Sequence, residues 1–157
     1  MYVGLPAQDM SKQVAAYFDL DGTLLDSSSE KSLASTLSKR RPWRIPLSIS
    51  AWSLRFIGSL ATGKSVYDSA RNRGHFTMAS WESLDKISLE LVANKLSQRV
   101  SPQARERLNW HREQGHRLVL VTATVMPMAE AMANELAMDG VYGCGPENRQ
   151  GRLSGSE

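Results

Sequence analysis

The stretch VAAYFDLDGTLL, residues 14–25, decides how this chain folds. Its first five residues form an apolar run, short and ending in Tyr17 and Phe18, which reads as a buried strand rather than a helix. The run then turns acidic. Asp19 and Asp21 are spaced i, i+2 at the strand's end, so both carboxylates can reach one site as the chain turns at Gly22. Carboxylates held this close repel each other, and a divalent cation relieves the repulsion. Hard oxygen donors with a small open shell suit Mg²⁺. A carboxylate can also attack phosphorus to give an aspartyl-phosphate, and a second carboxyl beside it can protonate the leaving group and later activate water.

Working outward, the next comparable run is RLVLVTA (117–123), again closed by small polar residues. Two fully apolar strands this far apart predict a parallel sheet covered on both faces. Helical patterns separate them. SSSEKSLASTL places Ser27 three residues before Glu30, the spacing of a capping box. WESLDKISLELVANKL sets Trp81, Leu84, Ile87, Leu91 and Leu96 on one helical face. SPQARERLNWHREQGH offers Ser101 as N-cap, Pro102 at the first helical position and Gly115 as the stop. After the second strand, PMAEAMANELAMDG reads as a helix from near Pro127 to Gly140, followed by a short strand around VYGC (141–144). The excursion of about seventy residues after the first strand is too long for an ordinary loop. It predicts a small helical subdomain over the strand's C-terminal end, where α/β proteins place their sites.

The 157 residues suffice for one domain with a real core, and 41% apolar with 22% charged residues is a globular composition. Cys144 stands alone, so no internal disulfide can form and nothing points to secretion. MYVGLPAQDMSK lacks the basic start and apolar run of a signal peptide. IPLSISAWSLRFIGSLA (45–61) is interrupted by Arg55 and several serines and is too short for a membrane span. A cytoplasmic protein is expected. The net charge of +3 concentrates in SKRRPWR (38–44) and SARNRGH (69–75), read as a solvated face. Nucleic acid is not expected as a partner, because Trp43 alone is too little for base stacking.

DLDGTLL (19–25) resembles the first motif of the haloacid dehalogenase-like hydrolases, D-x-D-G-T-[LV], and LVLVTAT (118–124) resembles their second, an apolar strand ending in Ser or Thr. The long helical insertion is similar to the cap of the phosphoserine-phosphatase-like branch, and ENRQGRLSG (147–155) to the strand pair that follows its third strand. The resemblance implies an α/β fold: a Rossmann-like parallel sheet built from residues 1–26 and 99–157, with a helical cap over 27–98. It implies a Mg²⁺-dependent phosphomonoesterase acting on a small phosphorylated substrate. Asp19 matches the nucleophile and a metal ligand. Asp21 matches the general acid/base, with its backbone carbonyl on the metal. Thr122 matches the hydroxyl that binds the phosphoryl group, and Leu20 the residue whose backbone N–H does so.

Two further motifs of the family are missing. One is a downstream Lys or Arg that neutralises the phosphate; after Thr122 only Arg149 and Arg152 are basic. The other is a Gly-Asp motif on a fourth strand that completes the metal shell; Glu130, Glu135, Asp139, Glu147 and Glu157 do not supply it. The chain reads as a family member cut short at its C-terminus, with activity lowered by orders of magnitude. VAAYF would then be an exposed edge, open to self-association.

A D-x-D at a strand end can serve only as a turn and helix cap, and Thr122 can serve only a backbone group. An EF-hand is rejected, because Leu24 and Thr23 stand where the loop from Asp19 needs glycine and an acid. GSLATGKS (58–65) fits the phosphate-loop pattern by letter, but Leu47, Ala51, Leu54 and Ile57 before it are spaced as a helix, and a phosphate loop needs a strand there. Gly58 and Gly63 are expected to break one helix and start the next. A non-catalytic metal- or phosphate-binding module on the same fold remains the second reading. Substrate choice would fall to the insertion, with Glu30, Arg55, Lys64, Arg71, Arg73 and His75 as candidates.

Overall fold

The apolar run at the start of the decisive stretch forms β1 (Ala15–Phe18), in a computed structural model that describes residues 14–70, 76, 79–145, 148–149 and 152–153. β1 lies parallel to β2 (Arg117–Val125), with Ala15 opposite Arg117 and Phe18 opposite Leu120. β2 in turn lies parallel to β3 (Gly140–Cys144), so the strand order is β1-β2-β3. Among the described residues β1 has no second neighbour, which leaves one edge of the sheet unpaired. The segment read as a late strand pair holds β4 (Asn148–Arg149) antiparallel to β5 (Arg152–Leu153).

Between β1 and β2 run α1 (Ser29–Arg40), a 3₁₀ turn at Pro42–Arg44, α2 (Ile45–Ala61), the single turn α3 (Val66–Ala70), α4 (Trp81–Leu91) and α5 (Pro102–Glu113). Beyond its last α-helical turn, α4 continues as a π turn (Val92–Leu96) and a 3₁₀ turn (Ser97–Arg99). α6 (Met126–Glu135) joins β2 to β3. Ser101 caps α5 as its sequence requires, accepting the Ala104 N–H at 3.1 Å. The α1 cap differs from expectation: Ser28, not Ser27, accepts the Lys31 N–H. The reason is Asp21, whose carboxylate holds the Ser29 N–H at 2.9 Å and the Ser28 hydroxyl at 3.3 Å, so the helix can begin only at Ser29.

Three helices end in the same way. α2 closes with Gly63 at φ +82°, Gly63 N–H to the Leu60 carbonyl and Lys64 N–H to that of Ser59. α5 closes with Gly115 at φ +70° and equivalent bonds from Gly115 and His116. Both are Schellman caps, whose left-handed residue favours glycine. α6 was expected to run to Gly140; instead Ala137 takes φ +47° and Met138 N–H reaches back to the Ala133 carbonyl at 2.8 Å. A Cβ in the left-handed region is strained. Ala137→Gly is therefore expected to stabilise the fold by about 1 kcal/mol, read as a raised urea midpoint; an unchanged or lowered midpoint would refute it.

The core is one continuous cluster. Leu20, Leu24 and Leu25 join Leu33 and Leu37 of α1, Leu84 and Ile87 of α4, Leu118 and Leu120 of β2, and Met128 and Met132 of α6. α1 and α4 thus share their apolar faces with the sheet, whereas α2 buries no residue. The expectation of a sheet covered on both faces is corrected. Leu118, Leu120, Thr122 and Thr124 of β2 are buried; on the opposite side Val119 is buried between its neighbouring strands, but Tyr17, Val121 and Tyr142 are 68%, 43% and 53% exposed. β1→β2 and β2→β3 step the same way across the sheet, and right-handed crossovers put both connections on one face.

His111 and His116, at the end of α5, approach with Nδ1 atoms 2.9 Å apart, and Phe18 and Trp110 meet the His111 ring edge-on. Loss of solvent, then the Arg107 charge, then His116 hold the His111 imidazole below its usual 6.5. The unfolded chain therefore takes up this proton more readily than the fold. Stability from this group is complete above pH 6.5 and is lost as pH falls through the lowered value. Glu130 works in the opposite sense at lower pH: burial and then Asp85 raise it above 4.5, so its contribution falls as pH rises from there. Urea midpoints between pH 5 and 7 should flatten in His111→Asn; an unaltered slope would remove His111 as the cause.

Candidate active site

Every candidate side chain of the acidic stretch sits just past the carboxyl end of β1. The loop that carries them is a tight knot. The Leu20 carbonyl accepts the N–H groups of Leu24 and Leu25 at 3.1 and 2.9 Å, and Gly22 N–H closes onto the Leu25 carbonyl at 2.8 Å. Gly22 takes φ +82°, the conformation that only glycine adopts cheaply. Leu20, Leu24 and Leu25 are buried to 1% exposure or less. These apolar anchors fix the backbone and leave the intervening acids outside the core.

The two acids differ in setting. Asp19 is exposed, and its carboxylate accepts one long bond, from the Thr23 hydroxyl at 3.4 Å. Asp21 is half-buried and aims at the N-terminus of α1, where Ser28 and Ser29 donate to it. Helix N-termini attract negative charge, so this carboxylate is held as well as placed.

Thr122 lies on β2 two residues past the partner of Phe18, so the register extended by the same two residues sets Leu20 beside it. It is 8% exposed, and its Oγ accepts the Thr124 N–H at 3.2 Å, which leaves its own proton free to donate elsewhere. Thr124 in turn shares a buried 2.8 Å hydroxyl–hydroxyl bond with Ser29. Through its backbone N–H and its hydroxyl, Ser29 thus ties the Asp21 carboxylate to the end of β2, where Thr124 and Thr122 lie. Sequence reasoning missed Ser28, Ser29 and Thr124, although three consecutive serines before a helix were the available signal.

The insertion is pinned at both ends beside this site. Leu25 bridges antiparallel to Val100, and Ser101 N–H reaches the Leu24 carbonyl at 3.2 Å. Within the insertion Glu30 is half-buried, at the start of α1. GSLATGKS is not a phosphate loop. Gly58 lies inside α2 and breaks nothing, and the N–H groups of Thr62, Gly63 and Lys64 all turn back onto carbonyls of α2. Donors consumed in a C-terminal cap cannot cradle phosphate. Arg71, Arg73 and His75 lie outside the described residues, as do the side chains of Arg149 and Arg152.

The donor set suits a hard cation: Asp19 offers exposed carboxylate oxygens, and Asp21 stands two residues on. Among the described residues no third His, Cys, Asp or Glu joins the pair. Mg²⁺ is commonly held by one or two carboxylates together with water and substrate phosphate, so the pair fits it. A separate cavity of about 220 Å³, lined by Arg105, Leu108, Arg112 and Glu135 among others, opens between α5 and the end of α6. It lies toward the start of β2, at the opposite end of the strands, and has no part in this geometry.

A family model described as haloacid dehalogenase-like hydrolase matches residues 16–156. No curated protein matches the sequence. Among solved structures, a protein of unknown function from Bordetella pertussis Tohama I is similar with a TM-score of 0.70 at 23% identity, covering 93% of this chain and 66% of that one. A HAD family hydrolase from Salmonella enterica serovar Typhi gives 0.56 at 13%, covering 88% and 43%. Phosphoserine phosphatase from T. onnurineus gives 0.52 at 20%, covering 94% and 66%. The chain thus spans less than two thirds of the length of each of these structures. At such identities the likeness is one of fold.

Proposed function

The chain belongs to the haloacid dehalogenase-like hydrolase family, and on that premise we propose that it is a phosphomonoesterase whose nucleophile is Asp19. What supports the reading is that Asp19 and Asp21 follow directly on the carboxyl end of β1, with Asp19 exposed, and that Thr122 lies on the adjoining β2 two residues past the partner of Phe18. The exposed Asp19 carboxylate attacks phosphorus and forms the acyl-phosphate while the bond to the leaving oxygen breaks. Asp21 protonates that oxygen, then takes a proton from the water that hydrolyses the acyl-phosphate. The Leu20 N–H and Thr122 hydroxyl hold phosphoryl oxygens. Mg²⁺ would be held by the Asp19 carboxylate and the Asp21 carbonyl, and when bound it offsets the negative charge of the phosphate.

We take residues 1–26 and 99–157 as the core and 27–98 as the inserted cap. The Leu25–Val100 bridge supports this boundary, since chain entry and exit meet there. We place the protein in the cytoplasm, in keeping with its single cysteine. Residues 1–157 contain neither the downstream Lys nor the Gly-Asp motif of the family, so turnover by these residues is expected to be orders of magnitude below that of a complete site. That expectation also keeps a second reading in play: a module that binds metal and phosphate without turning over.

The test is phosphate release from an aryl phosphate with and without Mg²⁺, alongside calorimetric titration of Mg²⁺ and inorganic phosphate. Slow release that depends on Mg²⁺ and on Asp19 supports the enzyme. Binding with no release favours the module, and neither one removes both readings.

A further inference from the structure

α2 is the unusual surface of this molecule. It has seventeen residues, one of them charged, and none buried. Helices apolar on nearly all sides are normally enclosed by protein or lipid. Among the described residues its main packing partners are the preceding turn and α3. Ile49, Leu54 and Ile57 are 59%, 72% and 62% exposed, and Trp43 just before the helix is 67% exposed. Trp52 stacks on Phe56 along the same helix, with ring centroids 5.2 Å apart. Its one charge, Arg55, shares a side with Ser48 and Ser59, spaced i, i+7, i+11, while Ser50 and Ser53 lie on the opposite side among the apolar residues.

We propose that α2 docks this protein on an anionic lipid surface, lying in the plane of the interface. Three observations favour lipid over a protein groove. A groove needs one apolar stripe, whereas α2 is apolar around most of its circumference. Charge is the second: from Lys31 to Tyr67 the sequence holds no acid, while Lys31, Lys39, Arg40, Arg41, Arg44, Arg55 and Lys64 are basic. Arg40 pairs with Glu90 and Arg44 is buried, so the exposed cations Lys39, Arg41 and Lys64, which flank the two ends of α2, are the ones that meet lipid phosphates. Third, tryptophan beside the apolar surface is the side chain that settles at headgroup level.

Spanning is excluded by length. Seventeen residues rise about 25 Å, short of the roughly 30 Å hydrocarbon layer, and among the described residues no helix is long and apolar enough to cross a membrane. An in-plane helix needs an apolar side turned to the acyl chains, which the exposed Ile49, Leu54 and Ile57 supply, while Ser48, Arg55 and Ser59 lie on its half-buried side.

The experiment is flotation of the full chain with phosphatidylcholine vesicles containing or lacking phosphatidylglycerol, with tryptophan emission read in parallel. The wild type is expected to float with the anionic vesicles, shift its emission to the blue, and release as salt rises. Leu54→Asp with Ile57→Asp, both at exposed positions, should cut the bound fraction at least about tenfold with unchanged circular dichroism. Lys39→Gln with Lys64→Gln should bind more weakly and with less salt dependence. Absence of wild-type flotation overturns the proposal, as does equal flotation of the aspartate variant. So does a wild-type dimer that this variant disperses without any vesicle binding. Asp19→Asn should float like the wild type, so the outcome is independent of the phosphatase reading.

Discussion

Asp19→Asn is expected to bring Mg²⁺-dependent phosphate release to the uncatalysed background while leaving the fold intact. Loss of a nucleophile removes the covalent route; in a complete site this costs about a thousandfold or more, and here it removes the slow release that residues 1–157 support. Structurally the change is small: the side chain is exposed and accepts a single 3.4 Å bond, so the urea midpoint should move by less than about 0.5 kcal/mol in equivalent stability. Asp21→Ala should behave differently. It removes the acid/base and also strips the Ser29 N–H and Ser28 hydroxyl of their acceptor, which costs about 1–2 kcal/mol in helix capping. The pair of variants separates chemistry from architecture. Release that persists in Asp19→Asn would show that another group attacks phosphorus, and an unaltered midpoint in Asp21→Ala would show that α1 does not depend on this carboxylate.

The second large effect is expected at Leu20→Ala. This side chain is fully buried between the two acids and belongs to the central cluster. Truncating a buried leucine removes transfer free energy and leaves a cavity, together about 2–5 kcal/mol. The Leu20 carbonyl also ties the loop to Leu24 and Leu25, so slack at this anchor reaches both carboxylates. Chemical denaturation should show the loss directly. A change below about 1 kcal/mol would mean that the loop is held by its hydrogen bonds alone.

The strands were legible because they advertise themselves. VAAYF and RLVLVTA are apolar beyond what a surface segment tolerates, and each ends in small polar residues. Ser101, Pro102 and Gly115 bracket α5 because capping chemistry is local. The misreadings have one physical root, which is that the deciding partner lay far away in sequence or had no motif. Ser27 has the right spacing for a cap, but Asp21 reaches across the loop and moves the cap to Ser28. α6 ends five residues before Gly140 because Ala137 adopts a glycine-like conformation that composition does not reveal. GSLATGKS was separable from a phosphate loop by the helical spacing before it, yet its use as a C-terminal cap appears only from its hydrogen bonds. The single covered face of the sheet follows from strand order, which apolar runs do not encode.

The register of β1 on β2 has a consequence for synthesis. Ala15 cannot meet Arg117 until about a hundred further residues have been made, which takes about 5–20 s at ribosomal speeds. For that interval the first apolar strand leaves the tunnel without its partner, while β2, α6 and β3 can assemble on their neighbours almost as soon as they emerge. The nascent chain thus presents VAAYF to whatever binds extended apolar segments. Its yield in a cell should depend on chaperones that meet nascent chains more than the stability of the finished fold would suggest.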